Sequence, residues 1–225
     1  MSAPAGRVSR PAAEPGPRPL AVLRRMWSGL PTLAALNLVV CVAAVPALTL
    51  AFTGHPLLVP AAAALAESAV LAGILACCRE LGGSDDAVDV RYALRRVRAG
   101  LGRGLRLGLP YAVVGTAAAA TLDLSAHHPA GWLAGCLAVD GAALILLTVA
   151  GPYAHLLATD GPARGRTLWL TALARAAAAP AATASAVLLV GVTAAALILI
   201  GPALLLVLPA PALTGIAATV PVRGR

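Results

Sequence analysis

Long uncharged apolar runs recur along this chain, separated by short polar or arginine-bearing segments. A hydrocarbon core about 30 Å thick is crossed by about 20 helical residues, and four runs meet that length: 31–52, 57–78, 107–122 and 131–152. The second carries one acid, Glu67. The third is short, bracketed by Arg106 and Asp123, and relies on the Arg106 side chain reaching back toward the headgroups. A fifth apolar region, 183–221, is interrupted by Gly201-Pro202 and by "PAP" at 209–211. It predicts one span at 183–204, with 205–221 either a sixth short span or an interfacial tail. The pattern therefore predicts an all-α polytopic membrane bundle of five or six spans. Residues 26–221 form one transmembrane domain between a disordered cytoplasmic tail, 1–25, and a short tail, 222–225.

The polar connections carry their own periodicity. Between the second and third runs, Ser84 is placed to cap a helix, and Asp85 and Asp86 fall in its first turn, where the helix dipole favours anions. Val90, Leu94, Val97, Leu101 and Leu105 then recur at helical spacing. This predicts an amphipathic cytoplasmic helix over 85–106, lying on the inner leaflet. Its arginines, Arg91, Arg95, Arg96, Arg98, Arg103 and Arg106, are expected to contact anionic headgroups or a docking partner. Residues 167–180 show a weaker version, and Arg175 in their middle argues against a span.

Composition agrees with the pattern. Apolar residues make up 60% of the chain, charged residues 12%, and mean hydropathy is +0.87, against about 45–50% apolar content in soluble domains. All 17 basic residues are arginine, a bias suggestive of a GC-rich bacterial genome. They also set orientation, because basic loops stay in the cytoplasm. Arg7, Arg10, Arg18, Arg24 and Arg25 precede the first run, Arg79 to Arg106 lie between the second and third, and Arg164, Arg166 and Arg175 follow the fourth. The alternate connections, "TGHP" and "DLSAHHPAG", contain no arginine. The amino terminus is therefore expected inside a bacterial cell membrane. Trp27, Trp132, Tyr153 and Trp169 fall near the predicted span ends, where amphipathic rings favour headgroup level. Cys41, Cys77, Cys78 and Cys136 sit in apolar runs without metal-ligand spacing and read as small core residues.

Candidate chemistry is sparse. Glu67 and Asp140 lie near the middle of their runs at similar expected depth, and an intramembrane carboxyl is a functional candidate by default. If they met, one would hold a proton, since two close carboxylates do not both ionise cheaply. That would suit a small transporter or channel. Enzyme readings fail on spacing. "TDGPARGR" at 159–166 resembles the CDP-alcohol phosphotransferase signature, but it is one residue short and lacks the later aspartate pair. His127 and His128 have only Asp123 nearby, His155 is isolated, and no phosphate loop or nucleophile elbow is present. "LGLP" at 107–110 matches only the end of the coupling loop of ABC importer permeases, with Val97 and Arg91 at the glycine and glutamate positions. Neither enzymatic activity, a cofactor, a metal nor a nucleic-acid partner is expected.

One stretch carries a resemblance. "LNLVVCVAAVPALT", residues 36–49, resembles the first-span signature LNLLWLLCSLPVVT of the YesL-like family of small bacterial membrane proteins. Leu36, Asn37, Leu38, Pro46 and Thr49 match it directly, and the order of spans and cytoplasmic segments fits over 22–221. The chain departs from the family by inserting "LAFTGHPLLV" before "PAAAAL". The resemblance implies a multi-pass protein of no established biochemical activity, often found beside carbohydrate ABC importers, and so an accessory role with importer subunits as partners. It also implies packing roles: Asn37 in interhelical hydrogen bonding, Pro46 as a kink, and Thr49 satisfying the backbone that the proline frees.

Overall fold

The computed structural model describes residues 29–83, 89–128, 130–160 and 165–200, together with Leu213 and Ile216. Every regular element among them is helical: α1 (Leu30–Phe52), a 3-10 turn (Pro56–Leu58), α2 (Val59–Gly83), α3 (Val90–His127), α4 (Gly131–Asp160), α5 (Gly165–Ala178) and α6 (Pro180–Ile200). Four of these helices are long and apolar enough to cross a membrane. A fifth crossing arises if α5 and the first part of α6, bent by 104° at their junction, are taken together. The expected tails, Trp27, the Ser84-Asp85-Asp86 helix start and, apart from Leu213 and Ile216, the 205–221 segment lie outside the described residues.

α1 ends in a Schellman arrangement. Gly54 adopts φ +80, and His55 N–H reaches back to Leu50 O at 3.0 Å, so two otherwise orphaned groups are satisfied in a tight reversal. Pro56 then opens the turn that leads into α2.

The largest departure from expectation is α3. A surface helix over 85–106 and a separate span over 107–122 were expected, but one continuous helix of 38 residues runs through both. At about 1.5 Å per residue it is about 57 Å long. Nor does the predicted apolar stripe face the bundle. Of its members Val97 is buried, while Leu94, Leu101 and Leu105 are exposed. The buried face is instead Ala93, Val97, Gly100, Gly104, Leu107, Gly108 and Ala112. Small residues take that face because they let the two backbones approach closely, the packing favoured where helices pair in lipid.

α2 and α3 pack antiparallel along that small-residue face, the most extensive contact among the described residues. Cys77 Sγ lies 3.8 Å from Ala93 O at one end, and a Cβ on Gly115 would lie 3.1 Å from Pro60 Cβ at the other. Residues 60–77 of α2 thus pair with residues 93–115 of α3, the stretch that carries all of its arginines but Arg91. Beyond Gly115, α3 continues for 12 residues to His127, about 18 Å, alongside α4. Three rungs tie α3 to α4: Arg103 Nη1 to Ala158 O at 3.3 Å, Tyr111 hydroxyl to Leu147 O at 2.6 Å, and Thr121 hydroxyl to Asp140 Oδ2 at 3.2 Å. The α1–α2 and α3–α4 hairpins are therefore offset along their length rather than flush.

The core sits toward the arginine-bearing end. Leu36 from α1, Ile74 and Leu75 from α2, Val97 from α3, Tyr153 and Leu156 from α4, and Leu168 and Ala172 from α5 are buried in one cluster. Away from it, Leu38, Val42, Phe52, Val113 and Ile145 are exposed, as expected of a lipid-facing surface.

Candidate functional site

A glycine triplet builds the platform on which the charged groups stand. Gly100, Gly104 and Gly108 recur at four-residue intervals in "GLGRGLRLG" and so occupy one face of α3. A Cβ on Gly104 would sit 2.6 Å from Ala69 O and 2.8 Å from Ala69 Cα, and one on Gly108 would sit 2.7 Å from Ala64 O. Only a hydrogen fits at these positions. Across the seam, α2 contributes small residues in turn, among them Ser68, Ala72 and Gly73. This spacing was visible in the sequence, but the louder leucine periodicity beside it drew the prediction away.

With the glycine face turned to α2, the six arginines divide. All are exposed. Arg91, Arg95 and Arg98 lie on the side of α3 away from the seam, and Arg106 lies close to them around the helix. Arg96 and Arg103, seven residues apart and hence on one side, flank the seam toward α4. Arg103 reaches α4 through Ala158 O. Arg96 lies 3.6 Å from Glu80 Oε1, an oxygen that also accepts from the Tyr92 hydroxyl at 3.2 Å. The single contact set expected from sequence is thus two sets with different surroundings.

The two acids expected within the membrane do not share a site. Glu67 is exposed on α2, next to Ser68, which meets Gly104 and Gly108 of α3. Asp140 pairs with Thr121 at 3.2 Å. Thr121 lies 13 residues beyond Gly108 along α3, which is about 20 Å. The equal depth expected from run centres fails because the hairpins are offset. Glu67→Gln and Asp140→Asn are accordingly expected to act independently on stability. A double-mutant cycle in detergent should give a coupling below about 0.5 kcal/mol, and a coupling well above that would contradict the register.

The residues of the 36–49 motif also divide. Leu36 is fully buried and Asn37 is 4% exposed, and Asn37 is not without a partner. Leu38, Pro46 and Thr49 face outward. Pro46 withdraws the N–H that would meet Val42 O, whereas the Thr49 hydroxyl donates to Val45 O at 2.9 Å. Thr49 therefore does not satisfy the carbonyl that the proline frees, as had been expected.

Two buried polar groups went unread. Tyr153, expected at headgroup level, is fully buried, and its hydroxyl lies 2.8 Å from Thr183 Oγ1. Thr183 in turn donates to Ala176 O at 2.9 Å and Ala179 O at 3.0 Å, so its single proton is shared between the two carbonyls and Tyr153 is the donor to it. No sequence signal joins residues so far apart in the chain. His155, 1% exposed, has an Nδ1 without a hydrogen-bond partner among the described residues. Among those residues no group of three or more histidine, cysteine, aspartate or glutamate side chains could hold a metal ion. Comparison with family models, curated proteins and solved structures gives no match to this chain.

Proposed function

We propose that this chain is a non-enzymatic, multi-pass protein of the bacterial cell membrane, its amino terminus cytoplasmic, serving as an accessory component linked to carbohydrate uptake. In this reading the outward arginines of α3 contact the cytoplasmic edge of importer subunits. The observation that carries the contact is the locking of α3 by its glycine face, which holds Arg91, Arg95 and Arg98 exposed on the opposite side. An open hollow bordered by Asp89, Arg91, Leu94 and Arg95 lies on that side. Guanidinium groups suit such a surface because they stay charged and bind oxyanions in a planar fork. The link to sugar uptake rests on the resemblance of residues 36–49 to the YesL-like signature.

The test is affinity purification of the tagged full-length protein from native membranes in mild detergent, with mass spectrometry of what accompanies it. Subunits of a carbohydrate importer are expected with the wild type and not with Arg91→Ala/Arg95→Ala/Arg98→Ala. Recovery unchanged by the triple substitution would remove α3 from the contact. Substrate flux by the purified protein alone in proteoliposomes would replace the accessory reading with a transporter.

A further inference from the structure

A small cleft of about 40 Å³, open on one side, lies where α2, α3 and α4 meet. Gly73 and Gly100, whose backbones touch across the seam, line it together with Ala76, Arg96, Arg103 and Thr159. The geometry points to a phosphate-binding site in this cleft, occupied by the phosphodiester headgroup of an anionic phospholipid. The inference rests on the membrane reading above but uses the two arginines that the outward contact does not.

Two features define the ligand. First, two guanidiniums approach one small cleft from the same side of α3, and each keeps donors to spare. A guanidinium has five N–H groups, while Arg103 spends one on Ala158 O at 3.3 Å and Arg96 faces Glu80 at 3.6 Å. The Thr159 hydroxyl already donates to Leu156 O at 2.7 Å, so the guanidiniums carry the binding. Second, the local charge is small. Two arginines set against Glu80 leave one net positive charge, which matches a phosphodiester, a monoanion throughout the neutral range, whereas free phosphate is divided there between monoanion and dianion. The exposed leucines of α3, Leu94, Leu101 and Leu105, lie around the helix from both guanidiniums, so the choice of a lipid headgroup rests on charge and on the membrane reading. Basic pockets between spans on the cytoplasmic side recognise lipid headgroups in this way.

The experiment uses full-length protein in mild detergent, with phosphatidylglycerol retention read by native mass spectrometry and by thermal stabilisation. Phosphatidylcholine and inorganic phosphate are the comparison probes. Phosphatidylglycerol is expected to be retained and to raise the melting temperature, and Arg96→Gln/Arg103→Gln to weaken it about tenfold. Arg91→Gln/Arg95→Gln is expected to leave retention unchanged. Should the glutamine pair fail to accumulate, Arg103→Lys keeps the charge and loses the fork: weaker retention supports the site, and unchanged retention overturns it. Equal retention by wild type and Arg96→Gln/Arg103→Gln also overturns it. So does displacement of the lipid by inorganic phosphate at equal concentration, which would make the site one for a free anion. Retention lost only in Arg91→Gln/Arg95→Gln would place the lipid contact on the outward face and sink the cleft. Because importer recovery responds to Arg91, Arg95 and Arg98 and lipid retention to Arg96 and Arg103, the two readings fail separately.

Discussion

Gly104→Leu prises α2 from α3, and the protein fails to accumulate in membranes. A side chain there is driven against Ala69 O and Ala69 Cα, backbone atoms 2.6 and 2.8 Å from where the Cβ would begin, and these cannot rotate aside. Gly104→Ala is the milder form and should fold with a loss of about 1–3 kcal/mol, the range of overpacked cores. Gly102, two positions away, has nothing within 4 Å of an added Cβ, so Gly102→Ala should stabilise by up to about 1 kcal/mol through helix propensity alone. Thermal melts of the three variants in one detergent make the comparison. The opposite signs at Gly102 and Gly104 are the signature of the seam, and equal shifts would mean that the helices do not meet there.

Thr183→Val should cost about 2–3 kcal/mol, although the two side chains have nearly the same shape. The substitution removes one hydroxyl that serves three buried groups: the carbonyls of Ala176 and Ala179 and the hydroxyl of Tyr153. A buried polar group left unmet costs about 1–3 kcal/mol, tempered here because groups in a bilayer find substitute partners. Thr183→Ser retains the hydroxyl and should recover most of the loss. Tyr153→Phe removes only the donor to Thr183 and should cost less than Thr183→Val, since both carbonyls keep their partner. Denaturation of these variants by sodium dodecyl sulfate would rank them, and Thr183→Val at wild-type stability would exclude a structural role for the hydroxyl.

The helical character and the approximate extents of α1, α2 and α4 were legible because each coincides with an uncharged apolar run of about the length that a bilayer crossing needs. Pairing was not. Which face of α3 turns inward depends on whether leucine area or glycine proximity prevails, and periodicity read on a water-based scale favours the leucines. Depth was misjudged for a related reason. Centring each run in a slab places Glu67 and Asp140 level, but helices slide past one another until their small residues interlock, and the glycine triplet engages Ala64, Ser68 and Ala69. Asn37 was read as a packing residue and is buried. The Tyr153–Thr183 bond, across two helices and a 104° bend, leaves no local trace in the sequence.

In the membrane reading proposed above, the offset of the hairpins bears on the bilayer itself. Arg103 and Arg106 stand beside Gly104 and Gly108, and so level with Ser68, midway along an α2 that has no arginine of its own before Arg79. A flat leaflet covering all of α2 would submerge those guanidiniums, and one retreating to meet them would strip lipid from α2 and its neighbour α1. In that reading the inner leaflet would slope, thick along the first hairpin and pinched along α3, at a cost of fractions of a kcal/mol per Å of mismatch. Such a protein leaves a dent in its surroundings. Neighbours with short hydrophobic belts relieve that dent by gathering around it, so membrane deformation alone can recruit company before any side chain touches a partner.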